Sequence, residues 1–229
     1  VDTHDHSSLR HVIYAGAPMY REDQKYALSK LGPCLVQYFG LGEVTGNITV
    51  LPPSWHSLED DPAMPIGSCG YPRTGIEVAI LDAANKSLPA GETGEICVRG
   101  PAVFAGYFEN DSANEKAFAG GWFHTGDAFR RDSEGYFYFV DRVKDAIRRR
   151  GENISSFEVE NDVTAHPDVR EAAVIGVPSE YSEDEVMAVI APVPGAQIDL
   201  VALMEFLVAR MPYFMVPRYV RVMEELPKT

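Results

Sequence analysis

Apolar and polar positions change period several times along the chain. The run Val12-Ile13-Tyr14 reads as a short strand, a helical period predicts a helix near Tyr20–Leu31, and the apolar stretch Cys34–Phe39 reads as a second strand. Gly16-Ala17-Pro18 and the Gly40–Gly46 segment follow these two strands, where open α/β sheets usually place their ligands. Residues 51–65, with Pro52, Pro53, Pro62, Pro65 and several acids, read as a surface connection.

From about Ile66 to Val140 the pattern is one of short strand-like runs, Ile76–Leu81, Glu95–Val98 and Tyr136–Val140. Glycine turns such as Pro89-Ala90-Gly91 and Glu134-Gly135 separate them, which predicts a small barrel or sheet subdomain. Beyond Asp141 the chain returns to mixed α and β. A hairpin is expected over Ala146–Ser155, a helix near Glu158–Ala165, strands at Ala172–Val177 and Val186–Pro192, and an amphipathic helix near Asp199–Arg210. A domain boundary is expected near Asp141–Lys144.

Composition adds limits. With 229 residues, 45% of them hydrophobic and 24% charged, the chain can form more than one core, so disorder is not its expected state. A net charge of −14 repels phosphate backbones and anionic lipid head groups, which argues against nucleic acids and membrane surfaces as partners. One segment runs against that field: Arg142, Lys144, Arg148, Arg149 and Arg150 face only Asp141 and Asp145. A solvated basic face is the plain reading of that run, and an anion-binding surface the alternative. Cys34, Cys69 and Cys97 are odd in number, far apart and without a C-x-x-C pair, so neither a disulfide framework nor a zinc site is suggested, and a cytoplasmic setting is expected. No apolar run is long enough to span a bilayer. The sequence opens at Val1 in polar residues, without an initiator methionine or a basic-then-apolar leader, as a piece of a longer protein would.

Several familiar motifs fail on spacing. Gly40-Leu41-Gly42-Glu43-Val44-Thr45-Gly46 approximates a dinucleotide fingerprint, but its last glycine comes one residue late. A phosphate loop of the form G-x-x-x-x-G-K-[ST] does not occur, and His4 and His6 lack companions for a metal site. The densest run is Gly121-Trp122-Phe123-His124-Thr125-Gly126-Asp127, followed by Asp132–Tyr136 and then Phe139-Val140-Asp141-Arg142. An aspartate after a glycine turn, with an arginine ending the next strand, suits a ribose diol. The carboxylate accepts both hydroxyl protons and the guanidinium donates to the hydroxyl lone pairs. Taken singly, either residue reads better as part of a structural turn with an ordinary salt bridge.

Six pieces occur in a fixed order: Gly16-Ala17-Pro18; Phe39-Gly40-Leu41-Gly42-Glu43; Gly94–Gly100 with Gly106-Tyr107; Trp122–Asp127; Asp141–Asn153 with Glu158-Val159-Glu160; and Pro212–Pro217. Over residues 9–229 the chain thereby resembles the adenylate-forming superfamily of acyl-CoA synthetases, luciferases and peptide-synthetase adenylation domains. The resemblance implies an α/β and β-barrel remainder of a large N-terminal domain, over residues 1–65 and 66–140. A small, mobile α+β C-terminal domain over residues 141–229 follows it.

The resemblance also implies roles. Gly16, Ala17 and Pro18 line an adenine pocket in which Phe39 stacks on the base, and Gly40 and Gly42 belong to the same nucleotide-binding segment. Glu43 serves catalysis as the magnesium ligand. Asp127 and Arg142 hold the ribose, Lys144 is the hinge, and Arg148 lies near the phosphates. Arg150 and Gly151 belong to the loop that lines the pantetheine tunnel after the small domain swings. Gly42 departs from the pattern, because the family carries a threonine there whose hydroxyl contacts the α-phosphate.

The reaction so implied is ATP-dependent joining of a small-molecule carboxylic acid to coenzyme A, with ATP/AMP, Mg2+ and CoA as cofactors. The acid first forms an acyl-adenylate, and the CoA thiol then displaces AMP. The family's phosphate loop is expected upstream of Val1 and its adenylation lysine beyond Thr229, Lys228 not being that lysine, so the chain by itself is not expected to adenylate. Val140–Asp145 and the Arg-Arg-Gly-Glu-Asn run look like CoA ligases of the carnitine or fatty-acid kind. An enzyme that loads a carrier protein and a degenerate, non-catalytic binding module are the alternatives, and homo-oligomerisation is left open.

Overall fold

The computed structural model describes residues 4–17, 19–60, 64–143, 146–149, 152–179 and 183–227; Pro18, Lys144, Arg150 and Gly151 lie outside the described residues. The chain divides into two units, Val1–Val140 and Asp141–Thr229.

The first unit opens with β1 (Val12–Tyr14), α1 (Arg21–Leu31) and β2 (Leu35–Leu41). β1 and β2 pair in parallel, with Tyr14 opposite Gln37, and α1 is the crossover that parallel pairing requires. Glu22 and Asp23 in the first turn of α1 and Lys30 in its last match the helix dipole, and Gly32, at φ 77°, ends it. A 3-10 turn, Gly42–Val44, then leads into β3 (Gly46–Leu51), antiparallel to β2, and β4 (Tyr71–Pro72) completes a sheet of order β1-β2-β3-β4. Gly40, Leu41 and Gly46 are thus strand residues of a tight hairpin, where the sequence suggested a longer loop.

β5 (Glu77–Leu81) and β6 (Thr93–Arg99) are followed by α2 (Asp111–Ala117), β7 (Phe123–Arg131) and β8 (Phe137–Arg142). The strands form a sheet of order β5-β6-β7-β8. Among the described residues nothing pairs β5 with β8, so the expected barrel is corrected to an open sheet. Four strands fall well short of the roughly eight that close around a filled interior. The open sheet covers its apolar face against the hairpin instead: Ile80, Ile96, Val98, Phe123, Phe129 and Phe137 share one core with Val44 and Ile48. Fully burying a side chain of this size contributes about 1.5–3 kcal/mol, so this shared core fixes the two sheets of the unit together.

The second unit contains the hairpin β9 (Ile147–Arg149) and β10 (Glu152–Ile154), then α3 (Ser156–Thr164), β11 (Val169–Pro178), β12 (Asp184–Pro192), α4 (Leu200–Val208) and β13 (Tyr219–Val222). β12 lies between an antiparallel β11 and a parallel β13. Ser155 caps α3 by accepting from Glu158 N–H at 3.0 Å, and Asp199 caps α4 by accepting from Val201 and Ala202. Val159 and Val163 of α3 and Leu203 and Leu207 of α4 pack on the sheet through Val174 and Ile190.

Candidate functional site

Gly16-Ala17 follows β1 at the C-terminal end of its parallel pairing with β2, and Phe39-Gly40 lie towards the same end of β2, where it pairs with β3. Gly16, at φ 86°, is exposed together with Ala17. Phe39 is half-buried, its ring centroid 4.5 Å from that of Phe129. Gly40 is required by close approach. A Cβ there would sit 1.8 Å from the Gly46 carbonyl oxygen, so only a residue without a side chain lets the hairpin arms meet.

The hairpin turn presents Glu43, and its backbone is fixed on both sides. Thr45, left-handed at φ 53°, donates its N–H to Gly42 O at 3.0 Å and its hydroxyl to Ala102 O at 2.8 Å. Phe104 N–H donates to Glu43 O at 2.7 Å. The Glu43 side chain accepts at Oε1 from the Tyr107 hydroxyl at 3.0 Å. Burial, and then the Glu43 carboxylate, push the Tyr107 phenol above its ordinary range. Gly42 is exposed, and a Cβ there would meet nothing within 4 Å.

Asp127 does not follow a turn. It sits inside β7, on a three-against-one bulge: Cys97 pairs with His124 and Glu95 with Ala128, so Thr125, Gly126 and Asp127 together face Ile96. Gly126 takes φ 77°, the left-handed backbone that a bulge of this kind asks of glycine. Thr125 donates its hydroxyl to Ile96 O at 2.8 Å and accepts from Asp127 N–H at 3.2 Å, while Gly126 N–H donates to Glu95 Oε1 at 2.8 Å. Asp127 is only 2% exposed. It neighbours Cys69, whose thiol burial pushes up to about 12, with the Asp127 charge acting in the same direction.

His124 stands beside the bulge. Its Nδ1 lies 2.7 Å from Glu95 Oε2 and 3.4 Å from Cys97 Sγ, and its Nε2 lies 3.1 Å from Ala119 O. Glu95, Cys97 and His124 are metal-ligating residue types gathered within 4.8 Å. Glu95 and His124, however, are already engaged with Gly126, Ala119 and each other, and burial pushes the Cys97 thiol up to about 12.

In the second unit Arg142 is exposed at the end of β8, and its N–H donates to Asp141 Oδ1 at 2.7 Å. Asp141 is buried and anchors α3, accepting from Ser156 N–H at 2.6 Å and Ser156 Oγ at 3.1 Å. Arg148 projects from β9 into an exposed ion pair with Glu183 at 3.0 Å. Arg149 turns inward instead. It pairs with buried Glu185, which also binds Arg218, and its Nη1 donates to Phe214 O and Val216 O at 2.7 and 3.0 Å. The basic run is therefore not one solvated face. Tyr107, Glu95 and His124 are the side chains whose part the sequence did not disclose: each stands in a quoted motif, but the partner that gives it a task lies on another strand or loop.

The chain as a whole is similar to known proteins. Residues 1–108 match the model of the AMP-binding enzyme and residues 158–229 that of the AMP-binding enzyme C-terminal domain. A feruloyl-CoA synthase of Amycolatopsis is 37% identical over 225 residues, covering 98% of this chain and 44% of its own length. The amide bond synthetase McbA of Marinactinospora thermotolerans superposes with a TM-score of 0.88 at 34% identity, over 99% of this chain and 45% of its own. The o-succinylbenzoate CoA synthetase of Bacillus subtilis, solved with ATP and magnesium, superposes with a TM-score of 0.85 at 30% identity, over 97% of this chain and 44% of its own. The chain thus spans under half the length of these proteins.

Proposed function

The chain belongs to the AMP-binding enzyme family, and we propose that the whole protein is an ATP-dependent ligase joining a carboxylic acid to coenzyme A through an acyl-adenylate. One observation carries the reading on this chain. Phe39 packs on Phe129, two residues along β7 from the buried Asp127, so the strand that supports the candidate base-stacking ring also carries the candidate ribose carboxylate. The hairpin that carries Phe39 also carries Glu43.

In this reading Gly16, Ala17 and Pro18 border the adenine that Phe39 stacks on, with Gly40 and Gly42 on the phosphate side. Asp127 accepts from the ribose hydroxyls, to which Arg142 donates. Glu43, a hard-oxygen ligand on a backbone pinned by Phe104 and Thr45, suits magnesium, which when bound with the nucleotide offsets phosphate charge. The substrate carboxylate attacks the α-phosphorus and pyrophosphate leaves; the CoA thiol then attacks the acyl carbon and AMP leaves. Arg148 supplies positive charge near the phosphates in the first step.

Residues 1–65 and 66–140 belong in this account to the large nucleotide-binding domain, and residues 141–229 to the small domain that reorients about Lys144 between the steps. Arg150 and Gly151 then line the path of the pantetheine arm. No helix among the described residues is long and apolar enough to cross a membrane. With three buried free cysteines, we assign the reaction to the cytoplasm.

Replacing Asp127 by Ala in the whole protein tests the reading. Loss of a charged hydrogen-bond acceptor is expected to raise KM for ATP by about 10- to 100-fold. An unchanged KM for ATP in a folded variant overturns the ribose role.

A further inference from the structure

We propose that Glu95 and His124 are positioning residues that set the ribose specificity of the site by holding the β7 bulge in the one shape that presents Asp127. The inference rests on the ribose role given to Asp127 above.

A bulge that sets three residues against one has no ladder to fix it. Residues Thr125–Asp127 face Ile96 alone, and the glycine at their centre adds freedom rather than removing it. Their shape must therefore come from side chains. Thr125 supplies one tie, through Ile96 O and Asp127 N–H. Glu95 supplies the other, reaching across from β6 to take Gly126 N–H on Oε1 at 2.8 Å. A lone carboxylate could swing, but its second oxygen lies 2.7 Å from His124 Nδ1, and His124 is held in turn by Ala119 O at 3.1 Å. Each carboxylate oxygen thus has its own partner, and the chain Ala119, His124, Glu95, Gly126 ends one residue from Asp127. Glu95 and His124 are partly buried, with side-chain exposures of 23% and 16%, so solvent competes only weakly for these bonds.

The consequence concerns selectivity rather than stability alone. If the clamp aims the Asp127 carboxylate, releasing it removes the advantage of a nucleotide with both ribose hydroxyls over one that lacks one. A clamp that merely supported the fold would weaken both nucleotides alike.

The test compares ATP with 2′-deoxy-ATP and 3′-deoxy-ATP in the whole enzyme, reading kcat/KM for adenylate formation. The wild type is expected to prefer ATP over at least one analogue by about 10-fold or more, the worth of a hydrogen bond to a charged group. In Glu95→Ala that preference is expected to collapse towards unity through a rise in KM for ATP alone, and in His124→Ala to fall part of the way. Glu95→Gln, whose carbonyl oxygen can still take Gly126 N–H, restores most of it. Should Glu95→Ala fail to fold, His124→Ala against wild type gives the same comparison. Variants that lose activity but keep the wild-type preference overturn the clamp. A wild type with no preference overturns the ribose role of Asp127 itself, and the clamp with it.

Discussion

The Tyr107 hydroxyl donates to Glu43 Oε1 at 3.0 Å and joins two segments far apart in sequence. In the magnesium role proposed for Glu43, a neutral donor on its carboxylate fixes which way the remaining lone pairs point. Removing only that hydroxyl, in Tyr107→Phe, is expected to lower magnesium-dependent turnover by about 10-fold or more, in the range of outer partners of metal ligands. Because Tyr107 is exposed, stability is expected to stay nearly unchanged. Raising the magnesium concentration should recover part of the loss; a variant with wild-type magnesium dependence contradicts the orientation.

On the resemblance carried by the motifs, Gly42 stands where the family carries threonine, and its surroundings leave room for one. It is exposed, a Cβ meets nothing within 4 Å, and its backbone is not left-handed. Gly42→Thr is therefore expected to change folding stability by no more than about 0.5 kcal/mol, the range of neutral surface substitutions. A hydroxyl placed there is expected to raise kcat for adenylation. An unchanged kcat assigns the α-phosphate contact to another residue.

How far these features could be read in the sequence depended on periodicity. The order β1, α1, β2 was legible because each element is an uninterrupted apolar or amphipathic run. The strand β7 was not, although it carries the strongest motif. Two of its inward positions are Thr125 and Asp127 and a glycine separates them, so the alternation that marks a strand breaks where the site is built. α2 was missed for a related reason: none of its residues is buried, and so it has no apolar stripe. Short strands with glycine turns could not tell an open sheet from a barrel, since closure depends on pairing between edge strands. Arg149 was counted with a basic surface because its partner, Glu185, lies on β12 and is invisible to local charge patterning.

That buried pair gives a stability prediction. Arg149 and Glu185 have side-chain exposures of 7% and 6%, so solvent screens them little. Arg149→Ala leaves Glu185, among the described residues, with the half-exposed Arg218 as its remaining ion-pair partner. A loss of about 3–5 kcal/mol is the scale for breaking such a pair, and the remaining Arg218 places the expected value at its lower end. Urea unfolding of the variant measures it; a loss below about 1 kcal/mol contradicts the structural role.

His56 links stability to pH. Gln24 Nε2 donates to the Tyr14 hydroxyl, 3.0 Å from His56 Nε2, and His56 Nδ1 faces the acceptor Pro52 O at 3.0 Å. Nδ1 therefore carries the proton, and Nε2 accepts from Tyr14. Burial holds the His56 pKa below its ordinary 6.5, and pushes the Tyr14 phenol up to about 12. Since folding lowers the histidine pKa, the unfolded chain binds the extra proton first. Stability is thus full above about pH 6.5 and falls as pH drops from there towards the lowered folded value. His56→Gln, which cannot titrate, is expected to show a flatter stability profile between about pH 7.5 and 5.5. Equal slopes for the two proteins exclude His56 as the linked group.

On the proposed function, this chain is the nucleotide-gripping part of a ligase whose acceptor is coenzyme A. Its most direct test is to incubate the whole protein with ATP, magnesium and a panel of aromatic, short-chain and long-chain acids, and to follow AMP, pyrophosphate and the thioester with and without CoA. The expected result is AMP and pyrophosphate formed one for one with an acyl-CoA on at least one acid, in a CoA-dependent manner. Pyrophosphate release without any thioester, with the acyl group passing instead to a carrier protein or an amine, would contradict it.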